Sequence, residues 1–160
     1  MEHMALLELI SDSLIKTGKT VAVAESVTSG DIQSALSSAK DAMNFFQGGI
    51  TAYNIRQKVK HLQVDPVQAM ASNCVSQVTA EEMAHHVRKL FASDWGIAIT
   101  GYASKVPEMG IGELFAFTAV YYRDTKMLAT SLRAEQAHPA EVRKYYTREV
   151  LRLFADLLRQ

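Results

Sequence analysis

The sequence predicts one α/β domain, a three-layer α/β/α sandwich with a mixed, largely parallel sheet. Three observations lead there. Short β-branched apolar runs alternate with amphipathic stretches, the pattern of strands joined by crossover helices. Two longer β-like runs then follow each other across a turn, which adds an antiparallel portion. The 160 residues, 48% hydrophobic and 21% charged, have the composition of a globular chain and the length of one domain. No repeat, low-complexity stretch or linker divides them, so residues 1–160 are read as a single unit.

The elements follow in order. Leu6, Leu7, Ile10 and Leu14 recur at helical spacing, and Thr17-Gly18-Lys19 supplies the stop. Thr20 to Ala24 is apolar and β-branched, a strand buried on both faces, and Glu25 closes it. Ser26, Thr28 and Ser29 suit a helix cap, and Ile32, Ala35, Leu36 and Ala39 form the stripe of the next helix. Gly48-Gly49 opens a second strand, Ile50 to Tyr53, which places Tyr53 at a strand end before a polar helix from Asn54 to His61. Asp65-Pro66 starts another helix. Thr79 and Glu82 form a capping box for a helix turning Met83, Val87, Leu90 and Phe91 inward. Trp95 to Thr100 is a third strand, Gly101 to Gly112 a loop, and the runs 113–122 and 126–132 form a hairpin around Arg123-Asp124-Thr125. His138-Pro139 begins a final helix with Val142, Tyr146, Val150, Phe154 and Leu157 on one face.

Composition also excludes functions. Lysine plus arginine equals aspartate plus glutamate at 17 each, so no overall field draws the chain to nucleic acid or to an anionic membrane. No apolar run reaches the roughly 20 residues that span a bilayer. Cys74 has no partner for an intramolecular disulfide, and no stretch reads as a signal peptide, so the cytoplasm is the expected location. Adjacent His85 and His86 do not share a helix face, and no cysteine or carboxylate set completes a metal site.

In parallel α/β sheets the ligand crevice lies outside the carboxyl ends of the strands. Ser26, Tyr53 and the loop from Gly101 all fall at such ends. A serine at a strand-to-helix turn is either a helix cap or a nucleophile, with the following amides as an oxyanion site. Tyr53 and Lys58 straddle a strand-to-helix junction, which lets both reach one pocket. Their spacing of five, without a glycine-rich dinucleotide turn, differs from that of short-chain dehydrogenases. Glu25 has two uses open to it, a backbone contact or a substrate contact.

The segments Ala24-Glu25-Ser26-Val27-Thr28-Ser29-Gly30 and Gly48-Gly49-Ile50-Thr51-Ala52-Tyr53-Asn54, with Lys58 beyond them, resemble the CinA C-terminal family of nicotinamide-nucleotide amidohydrolase type. Val75-Ser76, the helix from Thr79 and Ile97 to Gly101 match further family segments in the same order, so the resemblance covers roughly residues 5–155. It implies hydrolysis of the carboxamide of nicotinamide mononucleotide by a catalytic Ser26, Tyr53 and Lys58, without a cofactor. It further implies a homo-oligomer acting on a small nucleotide or amide. Glu25, Thr28, Ser29, Gly30, Thr100 and Gly101 are the expected substrate contacts. For Lys58 to act as a base, its pKa must fall from about 10.4 to about 7 or 8, through partial burial plus a neighbouring cation, with Arg56 and Lys60 nearby in sequence.

The chain departs from the family at three places. Val27 stands for a cysteine and Ser29 for a glycine. Tyr102 to Gly112 is shorter and less glycine-rich than the family loop, which weakens a backbone cradle for phosphate. Ala137-His138-Pro139 replaces a Gly-Asp-Arg, which removes an arginine contact. The alternative to an amidohydrolase is therefore an inactive paralogue that binds a nucleotide or a protein partner.

Overall fold

A computed structural model of residues 1–160 has a five-stranded mixed sheet with helices on both faces. The helices are α1 (Glu2–Thr17), α2 (Asp31–Ser37), α3 (Ile55–Leu62), α4 (Pro66–Ala71), α5 (Gln77–Leu90) and α6 (Pro139–Leu158). The strands are β1 (Val21–Glu25), β2 (Phe46–Thr51), β3 (Trp95–Gly101), β4 (Leu114–Tyr122) and β5 (Thr125–Ala134), in the spatial order β2-β1-β3-β4-β5. β1 pairs in parallel with β2 and β3, whereas β4 is antiparallel to β3 and to β5. Four strands therefore point one way and β4 alone returns.

The two faces of the sheet carry different side chains, as the period of two requires. Val21, Val23, Ile97 and Ile99 enter the larger core with α1, α2 and α6. Ala22, Ala24, Ala98 and Ala119 enter the smaller core with α3, α4 and α5. Alanines let α5 lie close to the strands. At Gly96 a Cβ would fall against the Ala84 carbonyl of α5, so this approach requires glycine.

Three expectations shift on the structure. β2 begins at Phe46 and runs through Gly48-Gly49 instead of opening on them, and it ends at Thr51, two residues before Tyr53. α5 starts one turn early: Ser76 is its cap, accepting from Thr79 N at 3.1 Å, while the Glu82 carboxylate accepts from Asp65 N at 3.0 Å. Leu90 is exposed on α5, and Phe91 lies just beyond the helix, partly buried. No helix is long and apolar enough to cross a membrane.

Candidate active site

Because β1, β2 and β3 are parallel, their carboxyl ends share one edge of the sheet, with β1 between the other two. Ser26, Tyr53, Thr100 and Gly101 line a cleft of about 560 Å³ there. Its other walls come from α3, the segment between α4 and α5, the loop after β3 and the start of α6. The size suits a small-molecule ligand.

The turn after β1 is built around Glu25. Its wholly buried carboxylate accepts from Thr28 Oγ1 at 2.6 Å and from Ile32 N, Gln33 N and Gln33 Nε2, each at 2.9 Å. Two of these donors are amides of the first turn of α2, which have no partner within their own helix. Glu25 therefore caps α2, and Thr28 is turned into the same network. Ser29 and Gly30 take left-handed conformations, with φ of 52° and 101°, behind the cleft. None of these four expected substrate contacts lines the cavity. The amides of Ile32 and Gln33 are occupied, whereas those of Val27 and Thr28 donate to no acceptor in the protein. Of the two, only Val27 lines the cleft.

Lys58 arrives from the other side. Asn54 caps α3 by accepting from Gln57 N at 3.1 Å, and one turn into the helix the lysine side chain turns inward, leaving the residue 2% exposed. Its Nζ donates to Ser26 Oγ at 2.9 Å and to the Tyr53 carbonyl at 3.3 Å. No carboxylate pairs with it. Burial pushes the amine below its ordinary 10.5, with nearby Cys74 acting weakly in the opposite sense. Desolvation, and not a neighbouring cation, causes the shift.

Tyr53 stands apart from the pair. Its carbonyl meets Lys58, but the residue is 72% exposed at the cleft mouth and its hydroxyl makes no hydrogen bond. Thr100 is buried, with its hydroxyl donating to the Cys74 carbonyl at 2.6 Å. Two cleft residues escaped the sequence reading of the substrate contacts. Arg56 of α3 and Arg143 of α6 both line the cavity, neither forms an ion pair, and no aspartate or glutamate is among the lining residues. Arg143 lies four residues beyond Pro139, which ends the segment standing where the family has Gly-Asp-Arg. The spacing Pro139 to Arg143 was the available signal, since both residues fall on one face of a helix. His85, by contrast, lies elsewhere, stacked on Tyr121 with its Nε2 3.0 Å from Asp124 Oδ1.

The family model of the CinA C-terminal domain matches residues 3–158. Similar proteins include a CinA-like protein of Trichodesmium erythraeum, 38% identical over 62% of this chain and 23% of its own length. A CinA-like protein of Synechocystis is 41% identical over 61% of this chain and 24% of its own length. A putative competence-damage inducible protein of Streptococcus pneumoniae is 33% identical over 64% and 24% respectively. The chain spans about a quarter of the length of these relatives. Among solved structures, a CinA superfamily protein of Escherichia coli is 26% identical with a TM-score of 0.85, covering 96% of this chain and 89% of that one. One from Klebsiella pneumoniae, 24% identical, has a TM-score of 0.90 over 98% and 97% and shares the fold.

Proposed function

The chain belongs to the CinA C-terminal domain family, and from that premise we propose that it hydrolyses the carboxamide of nicotinamide mononucleotide or a related small anionic amide. The observation that carries this reading is the 2.9 Å contact between Lys58 Nζ and Ser26 Oγ, formed out of solvent. Burial favours the neutral amine, and in that form the bond reverses: the serine hydroxyl donates to the amine, and Lys58 accepts its proton as Ser26 attacks the carboxamide carbon. The amide of Val27, in the cleft and without an acceptor in the protein, is the donor left for the developing oxyanion. Lys58 returns the proton to the departing ammonia, and water released onto the acyl ester regenerates Ser26.

Arg56 and Arg143 support an anionic substrate, because a cleft with two arginines and no acid in a chain of zero net charge favours negative ligands. Tyr53, at the mouth, is left to contact the substrate directly. Incubation with nicotinamide mononucleotide, scored for ammonia and for the acid product, tests the reading against a Ser26→Ala control. Serine-dependent release of both is expected. Saturable binding without turnover would instead favour a binding module.

A further inference from the structure

Thr100, the last residue but one of β3, lies beside the cleft, yet its hydroxyl is spent within the protein. The residue is 1% exposed, and Oγ1 donates to the Cys74 carbonyl at 2.6 Å. That carbonyl belongs to the segment between α4 and α5, where Asn73 and Cys74 adopt successive left-handed conformations, with φ of 51° and 60°. Neither is glycine, and such conformations persist only where surrounding contacts hold them. The amides of this segment are held locally, Cys74 N by Ala69 O at 2.8 Å and Val75 N by Ser72 O at 3.0 Å. The Cys74 carbonyl is held across the molecule, by Thr100.

The donor itself is rigid. Gly101 packs so tightly on Ala116 of β4 that a Cβ has no room. Tyr102 N donates to Phe115 O at 2.9 Å, and the Tyr146 hydroxyl of α6 donates to Tyr102 O at 2.9 Å. The held segment is a wall of the cleft: Asn73, Cys74 and Val75 line the same cavity as Lys58. Around the Lys58 amine stand Ser26 from the β1 turn, the Tyr53 carbonyl from the start of α3, and Cys74, which is in turn faced by Glu82 of α5.

We propose that Thr100 is a positioning residue for the Ser26–Lys58 pair, its hydroxyl holding the Asn73–Cys74 segment as the wall that keeps water from the Lys58 amine. Only the consequence for turnover rests on the hydrolytic reading; the effect on Lys58 does not. The test compares wild type with Thr100→Val, which keeps the shape and removes the donor, and Thr100→Ser, which keeps the donor. Two readouts need no substrate. The pH dependence of Lys58 labelling by an amine-reactive reagent, read by mass spectrometry, reports the titration of the amine. The rate of Cys74 alkylation under native conditions reports opening of the wall.

In wild type and Thr100→Ser, Lys58 titrates below 10.5 and Cys74 reacts slowly. In Thr100→Val the Lys58 midpoint moves up towards 10.5, and Cys74 reacts about tenfold faster, the effect of one buried hydrogen bond on a local opening. If Thr100→Val does not fold, Thr100→Ala, which removes the same donor, is read in both assays. Unchanged Lys58 titration and unchanged Cys74 reactivity in a folded donor-free variant would overturn the proposal, as would a Thr100→Ser variant that behaves like Thr100→Val. Absence of turnover in wild type would count against the hydrolytic reading alone, because neither of these two readouts depends on turnover.

Discussion

Glu25 and Lys58 are both withdrawn from solvent, one preceding Ser26 in the chain and the other hydrogen-bonded to it, yet the fold treats them differently. Glu25 receives four hydrogen bonds from Thr28, Ile32 and Gln33. Lys58 meets a hydroxyl and a carbonyl and has no counter-ion. A buried charge is tolerable when its hydrogen-bonding capacity is filled, and it shifts towards the neutral form when it is not. Glu25 thus builds the turn, whereas burial eases proton loss from Lys58. Saturation of one and starvation of the other separate the structural charge from the chemical one.

The strongest way to break this comparison is to remove the chemical pair. Ser26→Ala and Lys58→Met are each expected to reduce amide turnover on the order of 10⁴-fold while leaving far-ultraviolet circular dichroism unchanged. Retained turnover in either would remove the distinction drawn between the two charges. Glu25→Ala should act through stability instead. It strands two amides, a hydroxyl and a side-chain amide, a loss of about 3 kcal/mol, which in a chain of this size lowers Tm by roughly 6–12 °C. Thermal denaturation checks it, and a Tm within two or three degrees of wild type would mean that the α2 cap is dispensable. Arg143→Ala should be milder still, raising KM about tenfold with kcat nearly unchanged, because a contact made equally in ground and transition states is lost. Steady-state kinetics separates this from a fall in kcat, which would place Arg143 in the chemistry.

Much of this was legible in the sequence where local rules and tertiary demands agree. The stripes of α1 and α6, the apolar run of β1 and the hairpin follow from periodicity alone, and parallel strands bring Ser26, Tyr53 and Thr100 to one edge. Local rules failed where two residues compete for one role. Ser76 and Thr79 are both good caps, and Glu82 completes a box with Thr79 on paper, but in the fold it serves Asp65 N. Gly48-Gly49 reads as a strand opening because glycine weakens strands. Gly49 nevertheless sits inside β2, where a Cβ would meet the Val23 carbonyl and Gln33. Glu25 remained ambiguous since nothing in sequence says that four donors converge on it. Arg143 lies 117 positions beyond Ser26 by numbering, so its place in the cleft is a property of α6 packing, which no local pattern encodes.

The smallest expected effect is on stability at Lys58, and it sharpens the comparison most. The folded amine titrates below the 10.5 of the unfolded chain, so between those two values the unfolded state binds more protons. Stability therefore rises with pH across that window, and the handicap of a buried ammonium is present in full below the folded pKa. Lys58→Met removes the charge while keeping most of the volume, and replacing a buried charge by an apolar side chain is neutral or stabilising, here by about 1 kcal/mol. The gain should be largest below the folded pKa and shrink as pH rises past 10.5, where the wild-type amine becomes neutral in both states. Urea denaturation of the two proteins at several pH values measures it. A Lys58→Met variant clearly less stable than wild type at neutral pH would mean that the ammonium is well satisfied in the folded state, and would place Lys58 beside Glu25 as a structural charge.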